Sequence, residues 1–465
     1  MDVGHPAAIL RDGKKNIMRS PDVHQTAFGT TDPLVIDDFC EGIFRVHRSV
    51  FTSPEIVELE QDRIFNRCWL YVGHESEVPH PNDFQTRRVG GREVIYSRDR
   101  HGQIRVMLNT CRHRGAEVCR EPRGNRKVFT CFYHGWAYDD TGALISVPGD
   151  DAYSAGFRKA DHGLCRPRCE SYRGFTFVTY GPDAPELQTY LADARYVFDL
   201  VADQSLAGMQ IVSGTHYYSM NANWKLLMEN SCDGYHAFSV HQTYFEMMLS
   251  MGVTPGLAAE QGNGRAVSLG NGHAVIEGPE LGMPIASEKI LSAISQRRAD
   301  FVARLGESHT KRMLNTSRNL IVFPNMAVID LNFGIQVRTM FPTASDRTEI
   351  TGWQLIPADV PADVLSYRLD NAMSFWGPAG LATPDDVEGL EQCQRGFSAV
   401  KEVQWSDVSR GMGAAEPTVV DELQMRAFWR QWNTALTGQP ARPEGPRYDT
   451  SYLGVEQRSA ASGVR

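Results

Sequence analysis

Residues 111–115 read Cys111-Arg112-His113-Arg114-Gly115, and residues 131–136 read Cys131-Phe132-Tyr133-His134-Gly135-Trp136. Together they spell C-x-H-x17-C-x2-H, two arms that each offer one thiolate and one imidazole. Four such ligands suit either a zinc ion or a [2Fe–2S] cluster. Zinc sites commonly place a cysteine pair in one arm and a histidine pair in the other. Here each arm is mixed, which suits a cluster whose two irons take different ligands. A glycine closely follows each histidine (Gly115 and Gly135), which permits tight backbone packing around such a group.

A Rieske centre meets this description, because two cysteines bind one iron, two histidines bind the other, and the neutral imidazoles raise the potential. Cys111, His113, Cys131 and His134 are the candidate ligands. Cys119, Cys165 and Cys169 lie nearby without paired histidines and read as buried thiols that pack as small hydrophobes. Arg112, Arg114, Arg120, Arg123, Arg126 and Lys127 surround the arms. They read either as a solvated loop or as a docking patch for an acidic electron donor, since complementary charge speeds encounter.

The rest of the chain sets the frame. Its 465 residues exceed one ordinary core and predict two domains. The 42% hydrophobic and 22% charged content is that of a globular protein. No apolar run approaches the ~20 residues of a membrane span, and Met1 to Ser20 lacks the apolar core of a signal peptide. The cytoplasm is thus the expected compartment. A net charge of −9 argues against a nucleic-acid surface. Nine scattered cysteines favour metal ligands and reduced thiols over a disulfide framework.

Ser53-Pro54-Glu55 announces a helix, with an N-cap, a proline at the first helical position and an acid in the first turn. From Trp69 to Pro148 the texture is that of short strands, such as 93–96, 104–108 and 127–130. Turns are expected at Asp99–Gly102 and Asp139–Gly142. Beyond about residue 170, strands are expected at 174–180, 327–340 and 349–356, and helices at 222–248, 287–305 and 384–397. The expected fold class is α+β: a small all-β domain, then a larger domain with an antiparallel sheet flanked by helices. The expected division is an N-terminal segment 1–43 packing on the larger domain, a cluster domain 44–165 and a catalytic domain 166–465.

A cluster alone moves single electrons and leaves the C-terminal part unexplained. That part contains Asn223-Trp224-Lys225-Leu226-Leu227-Met228-Glu229-Asn230, leading into Ser231-Cys232-Asp233-Gly234-Tyr235-His236-Ala237-Phe238-Ser239-Val240-His241. On an ideal helix, His236 and His241 would point roughly 140° apart. Binding one metal therefore needs a bent or loosened helix, for which Gly234 is a weak point.

Both motifs, in this order and about a hundred residues apart, resemble the large (α) subunits of Rieske non-haem iron aromatic-ring-hydroxylating oxygenases. The resemblance runs from about Phe44 to Arg395. The short spacing between Glu229 and Asp233 looks more like the benzoate, toluate and anthranilate dioxygenase branch than the naphthalene branch, which has one more residue there. It implies that His236, His241 and a distant carboxylate hold a mononuclear Fe(II) in a facial triad. The segment Trp376-Gly377-Pro378-Ala379-Gly380-Leu381-Ala382-Thr383-Pro384-Asp385-Asp386 looks like the one that supplies the acid. Asp386 is the candidate and Asp385 the runner-up, although Thr383 as N-cap with acids behind it would stabilise any helix.

The same resemblance gives Asp233 a bridging role between His236 and His134 of a neighbouring subunit, which makes the active unit a homotrimer, alone or with a small β subunit. It implies that a reductase, with or without a ferredoxin, delivers electrons from NADH to the cluster and on to Fe(II), where O2 is activated beside the arene. The product would be a cis-dihydrodiol or, in monooxygenase and demethylase relatives, a hydroxylated or demethylated compound. No Gly-rich dinucleotide fingerprint occurs in a strand–helix setting, so NADH is expected on a separate protein. Met228, Phe238, Leu331, Phe333 and Phe375 are candidate pocket residues, and Arg338 a candidate for binding a substrate carboxylate. The branch favours an aromatic acid. A pure Rieske electron-transfer protein with an unrelated appended domain is the rival reading.

Overall fold

The cysteine–histidine arms and the histidine–aspartate motif fall in two different packing environments. The computed structural model describes residues 33–252, 264–279, 287–331 and 333–453; most of the expected N-terminal segment, residues 1–32, lies outside them. The described residues from Leu34 onward form one compact unit.

The smaller part is all β. A four-stranded antiparallel sheet runs Ile104–Leu108, Arg92–Arg98, Asp83–Val89, Arg123–Asn125, and a three-stranded one runs Leu144–Ser146, Ala137–Asp139, Val128–Thr130. Both expected turns close with the fourth residue donating to the first, Gly102 N to Asp99 O and Gly142 N to Asp139 O, each at 2.9 Å. Between the sheets Phe84, Ile95, Met107, Phe129, Trp136, Tyr138 and Leu144 form a core that also buries Cys111, Cys119 and Cys131. The expectation of three further buried thiols is corrected: only Cys119 is buried, Cys169 is half-buried and Cys165 is exposed beside Arg112.

The larger part is built on an antiparallel sheet. Its order is Met209–Ile211, Arg347–Pro357, Gly334–Ala344, Met326–Leu331, Thr316–Val322, His273–Pro279, Arg265–Gly270, with His216–Met220 also pairing with Arg347–Pro357. The expected single strand 327–340 is in fact a hairpin of two strands, with Leu331 opposite Gly334. Met326–Leu331 and the first five residues of Gly334–Ala344 are buried, so burial runs on both sides of the turn.

Strand side chains alternate between the two faces, and register decides which residues share one. Val275 lies opposite Leu320, Leu320 opposite Val328, Val328 opposite Val337, and Val337 opposite Trp353. That face packs into the main core with Phe175, Phe177, Phe198 and Val201. One residue along, Ile276 opposes Asn319, Asn319 opposes Ile329, and Ala327 opposes Arg338. This second face looks toward the helices that carry the candidate site.

Three segments distant in sequence meet on a buried carboxylate. Glu60 accepts from Lys225 Nζ at 2.6 Å, Trp224 Nε1 at 2.7 Å and Trp432 Nε1 at 2.7 Å. It thereby ties the helix Pro54–Glu60 to Trp224–Asn230 and to Leu423–Thr437. The strand Ile43–His47 pairs with Trp405–Asp407, so residues 43–60 contact the larger part. No helix among the described residues is long and apolar enough to cross a membrane.

His273 gives the fold a pH dependence. It is fully buried; its Nε2 donates to Tyr190 O at 2.8 Å while Nδ1 accepts from Phe323 N at 2.9 Å, which fixes a neutral tautomer. Burial pushes its pKa down from 6.5 to about 4, against the Tyr190 hydrogen bond. The unfolded chain therefore takes up a proton first as pH falls. The stabilisation is complete above about pH 6.5 and is lost as pH falls toward 4, by roughly 3 kcal/mol in all. Thermal melts of the wild type and His273→Gln between pH 7 and 4 check this: the acid limb should be shallower in the variant.

Candidate active site

The expected helix 222–248 is broken into Trp224–Asn230, Ala237–Val240 and Gln242–Ser250. Local chemistry ends the first piece. Ser231 Oγ turns back to Leu227 O at 2.5 Å, and Asp233 Oδ1 accepts from Tyr235 N at 2.7 Å, an Asx-type bond that competes with the helix. Tertiary packing holds the break open. Gly234 N donates to Val419 O at 3.2 Å, and a Cβ on Gly234 would lie 2.5 Å from that oxygen.

The break swings the two histidines together. His236 Nε2 lies 3.3 Å and His241 Nε2 3.4 Å from Asp386 Oδ1. Among the described residues this trio is the one group of three or more His, Cys, Asp or Glu whose ligating atoms all fall within 4.8 Å. Asp386 sits in the first turn of the helix Thr383–Gly396 and its side chain is 11% exposed. Asp385, at 38%, comes no closer than 4.0 Å, to His241 Nδ1. The helix starts one residue earlier than expected: Ala382, not Thr383, is the N-cap, and Thr383 Oγ1 donates to Trp376 O at 2.8 Å.

Two groups brace the trio. Asp233 Oδ2 lies 3.0 Å from His236 Nδ1. Asn230 Nδ2 donates to Asp386 Oδ1 at 2.9 Å and lies 3.2 Å from His236 Nε2. Burial disfavours a charged His236, but Asp233 and Asp386 outweigh it and raise its pKa to about 9. Burial likewise opposes ionisation of Asp386, yet His236 and His241 hold its pKa below the ordinary carboxylate value. Positive charge is thus favoured at His236, whereas burial holds the pKa of His241 below its ordinary value against the pull of Asp386. Two imidazoles and one carboxylate are the donor set of a facial-triad ferrous site, so the residues fit that ion.

The cysteine–histidine arms adopt one geometry twice. Gly115 N donates to Cys111 O and Gly135 N to Cys131 O; Cys111 N donates to Ala116 O and Cys131 N to Trp136 O. Gly115 and Gly135 have φ of +80° and +73°, a conformation that favours glycine. The thiols face the core, while the imidazoles face outward with their Nδ1 atoms 3.1 Å apart. No three of these four side chains form a single-ion trio, so a two-iron group with a sulfur end and a nitrogen end fits better than zinc.

A cavity of about 160 Å³ opens on the trio. Phe238, Leu331, Phe333, Arg338 and Phe375 line it as expected. Met228 does not: it is fully buried on the helix Trp224–Asn230, about 200° around the axis from Asn230, which does line the cavity. Asn230 and Ser231 stand in the quoted motif with no role that spacing assigns them, and Tyr244, whose ring packs 4.6 Å from Phe375, lies beyond it. Their contacts span distant segments, and no local pattern marks them.

Comparisons with known proteins agree in family. Residues 68–160 match the Rieske [2Fe-2S] domain, and residues 211–438 match the ring hydroxylating alpha subunit (catalytic domain). The chain is similar to the 2-halobenzoate 1,2-dioxygenase large subunit of Burkholderia cepacia, with 33% identity over 81% of this chain and 82% of the relative. It is also similar to the toluate 1,2-dioxygenase subunit alpha of Pseudomonas putida, with 34% identity over 82% of this chain and 84% of the relative. In structure it resembles naphthalene 1,2-dioxygenase from a Rhodococcus species, solved with indole bound. There the TM-score is 0.75 at 29% identity, covering 85% of this chain and 95% of the other.

Metal titration separates the two acids. Asp386→Asn should lower Co(II) affinity at the trio by roughly 10- to 100-fold or more, whereas Asp385→Asn should leave it within a few-fold. Competition against a fluorescent chelator reads both, and equal losses would overturn the assignment to Asp386.

Proposed function

This chain belongs to the family of Rieske ring-hydroxylating oxygenase alpha subunits, and on that premise we propose that it hydroxylates a single-ring aromatic carboxylic acid, by cis-dihydroxylation. Its electrons would come from NADH through a separate reductase, directly or by way of a ferredoxin. One observation carries the reading: His236 Nε2, His241 Nε2 and Asp386 Oδ1 converge on the wall of a largely apolar cavity. A cavity of roughly 150 Å³ accommodates one benzene ring, which fits the volume here. The two relatives named above act on 2-halobenzoate and toluate, both single-ring acids.

Cys111 and Cys131 would hold one iron of the cluster and His113 and His134 the other; His236, His241 and Asp386 would hold Fe(II). When bound, the cluster supplies single electrons and the ferrous ion a site for dioxygen. The chain's own residues do the rest. Asp233 accepts from His236 Nδ1–H and so would leave Nε2 to the iron. Asn230 holds Asp386 by its amide. Ile276, Ile329, Leu331, Phe333 and Phe375 exclude water and present flat apolar surface to an arene.

The proposal includes a homotrimer in which Asp233 of one copy meets His134 of the next. Asp233, Asp407 and Glu422 line a second cavity, which opens beside His236. Around His134 the small domain presents Arg112, Arg114 and the apolar Phe132 and Tyr133, 60% and 54% exposed. Opposite charge and exposed aromatic surface suit a contact between copies. Arg123 and Lys127, also exposed, would remain for an acidic electron donor. The division at 1–43, 44–165 and 166–465 is likewise proposed, with the helix Pro54–Glu60 of the middle part reaching across to the third through Glu60.

Fully loaded protein should hold three irons and two acid-labile sulfides per chain and show a Rieske paramagnetic signal after anaerobic reduction. With a generic reductase it should convert benzoate-type acids. Two irons per chain would favour a plain electron carrier. Asp233→Asn should keep all three irons yet lose roughly 10- to 100-fold or more in turnover; retained turnover would sink its bridging role.

A further inference from the structure

Four arginines are buried among the described residues: Arg318, Arg338, Arg426 and Arg430. Three of them pair with carboxylates, Arg318 with Asp330 at 2.7 Å, Arg426 with Glu444 at 2.8 Å and Arg430 with Asp37 at 2.7 Å. Arg338 is the exception. It is 3% exposed, yet among the described residues no carboxylate lies within 4.0 Å of it. Its Nη2 donates to Ser231 Oγ at 2.7 Å, the Tyr218 hydroxyl lies beside it, and its Nε–H has no partner. A buried cation without a counter-charge is costly, and among the described residues only the neutral Ser231 and Tyr218 hydroxyls partner it.

Register shows where this cation points. Arg338 shares a sheet face with Ile329 and Leu331, and all three line the cavity with His236, His241 and Asp386. The other sheet residues lining that cavity are Ile276, Gly278, Pro279, Ser317 and Asn319, none of them charged. A planar fork of donors in a chamber whose only other charged groups are those of the histidine–aspartate site is matched by a carboxylate, which accepts two parallel hydrogen bonds.

We propose that Arg338 is the specificity-determining anchor of the cavity: its guanidinium receives the ring carboxylate of the substrate, with Ser231 holding the fork in place. This rests on the reading of the cavity as the arene site. Ser231 has the geometry for the task. Its hydroxyl donates to Leu227 O and so presents a lone pair to Arg338. It also directly follows Asn230, whose amide bonds Asp386. Two adjacent residues of one turn therefore link the anchor to the trio and set the distance between a held carboxylate and the iron-binding atoms.

The test compares benzoate with its neutral isostere benzamide, by calorimetry on anaerobic, iron-loaded protein. The wild type should bind benzoate in preference by on the order of 100-fold, as expected for a desolvated, hydrogen-bonded charge pair. In Arg338→Gln the preference should collapse to within a few-fold. In Arg338→Lys, which keeps the charge and loses the fork, it should be intermediate. A structural role would lower melting temperature, iron content and both affinities together, leaving the preference intact. Equal affinity of the wild type for the two ligands, or a preference that survives in Arg338→Gln, would overturn the proposal. Binding is read without turnover, so protein that selects benzoate yet oxidises nothing would contradict the function proposed above while supporting the anchor.

Discussion

The contact of Gly234 with the Val419 carbonyl is the constraint on which the candidate site depends. A continuous helix through residues 222–248 would point His236 and His241 roughly 140° apart, with no shared position for an ion. Only glycine admits the Val419 oxygen at that distance, so the break that Ser231 and Asp233 open after Asn230 stays open until the chain re-enters a helix at Ala237. The unwound turn carries Asp233 as well. One oxygen of its carboxylate ends the helix through Tyr235 N and the other orients His236. Local structure and metal-site architecture thus share one side chain.

The large sheet gives that turn something to close against. Period-two alternation sends Val275, Leu320, Val328 and Val337 into the main core, and Ile276, Asn319, Ile329 and Arg338 toward the helices. The core face supplies the rigidity that a cavity on the other face requires. Arg338 is tolerated there because the chamber is walled by sheet on one side and by Phe375, Tyr244 and the histidine segment on the other. An unpaired cation in that setting is a strong recognition device, since low-dielectric walls strengthen its interaction with an anion.

The small domain works by a different logic. Its two arms are near copies of one hydrogen-bonded loop, closed by glycines at positive φ, so the geometry is dictated within six residues of each cysteine. Burial then sorts the ligands: sulfur faces the core and imidazole faces outward. The imidazole end is therefore the one presented to other molecules, and it is ringed by Arg112, Arg114, Phe132 and Tyr133.

How much of this was legible in the linear chain follows from the range of the interactions. The cluster arms, the Asp99–Gly102 and Asp139–Gly142 turns and the Ser53 cap all act within a few residues, so spacing alone specified them, while the pairing of Asp233 with His236 was legible through the family resemblance. Tertiary structure decided everything that joins distant segments. Asp386 and Asp385 are neighbours in a first turn with the same local chemistry, and only the packing of that helix against Asn230 and His241 turns one of them inward. The helix break needed Val419, 185 positions downstream of Gly234. Met228 was indistinguishable from a pocket residue until its helix was rotated into place. Arg338 could be read as an arginine on a strand, but its missing counter-charge is a property of surroundings that sequence spacing does not encode.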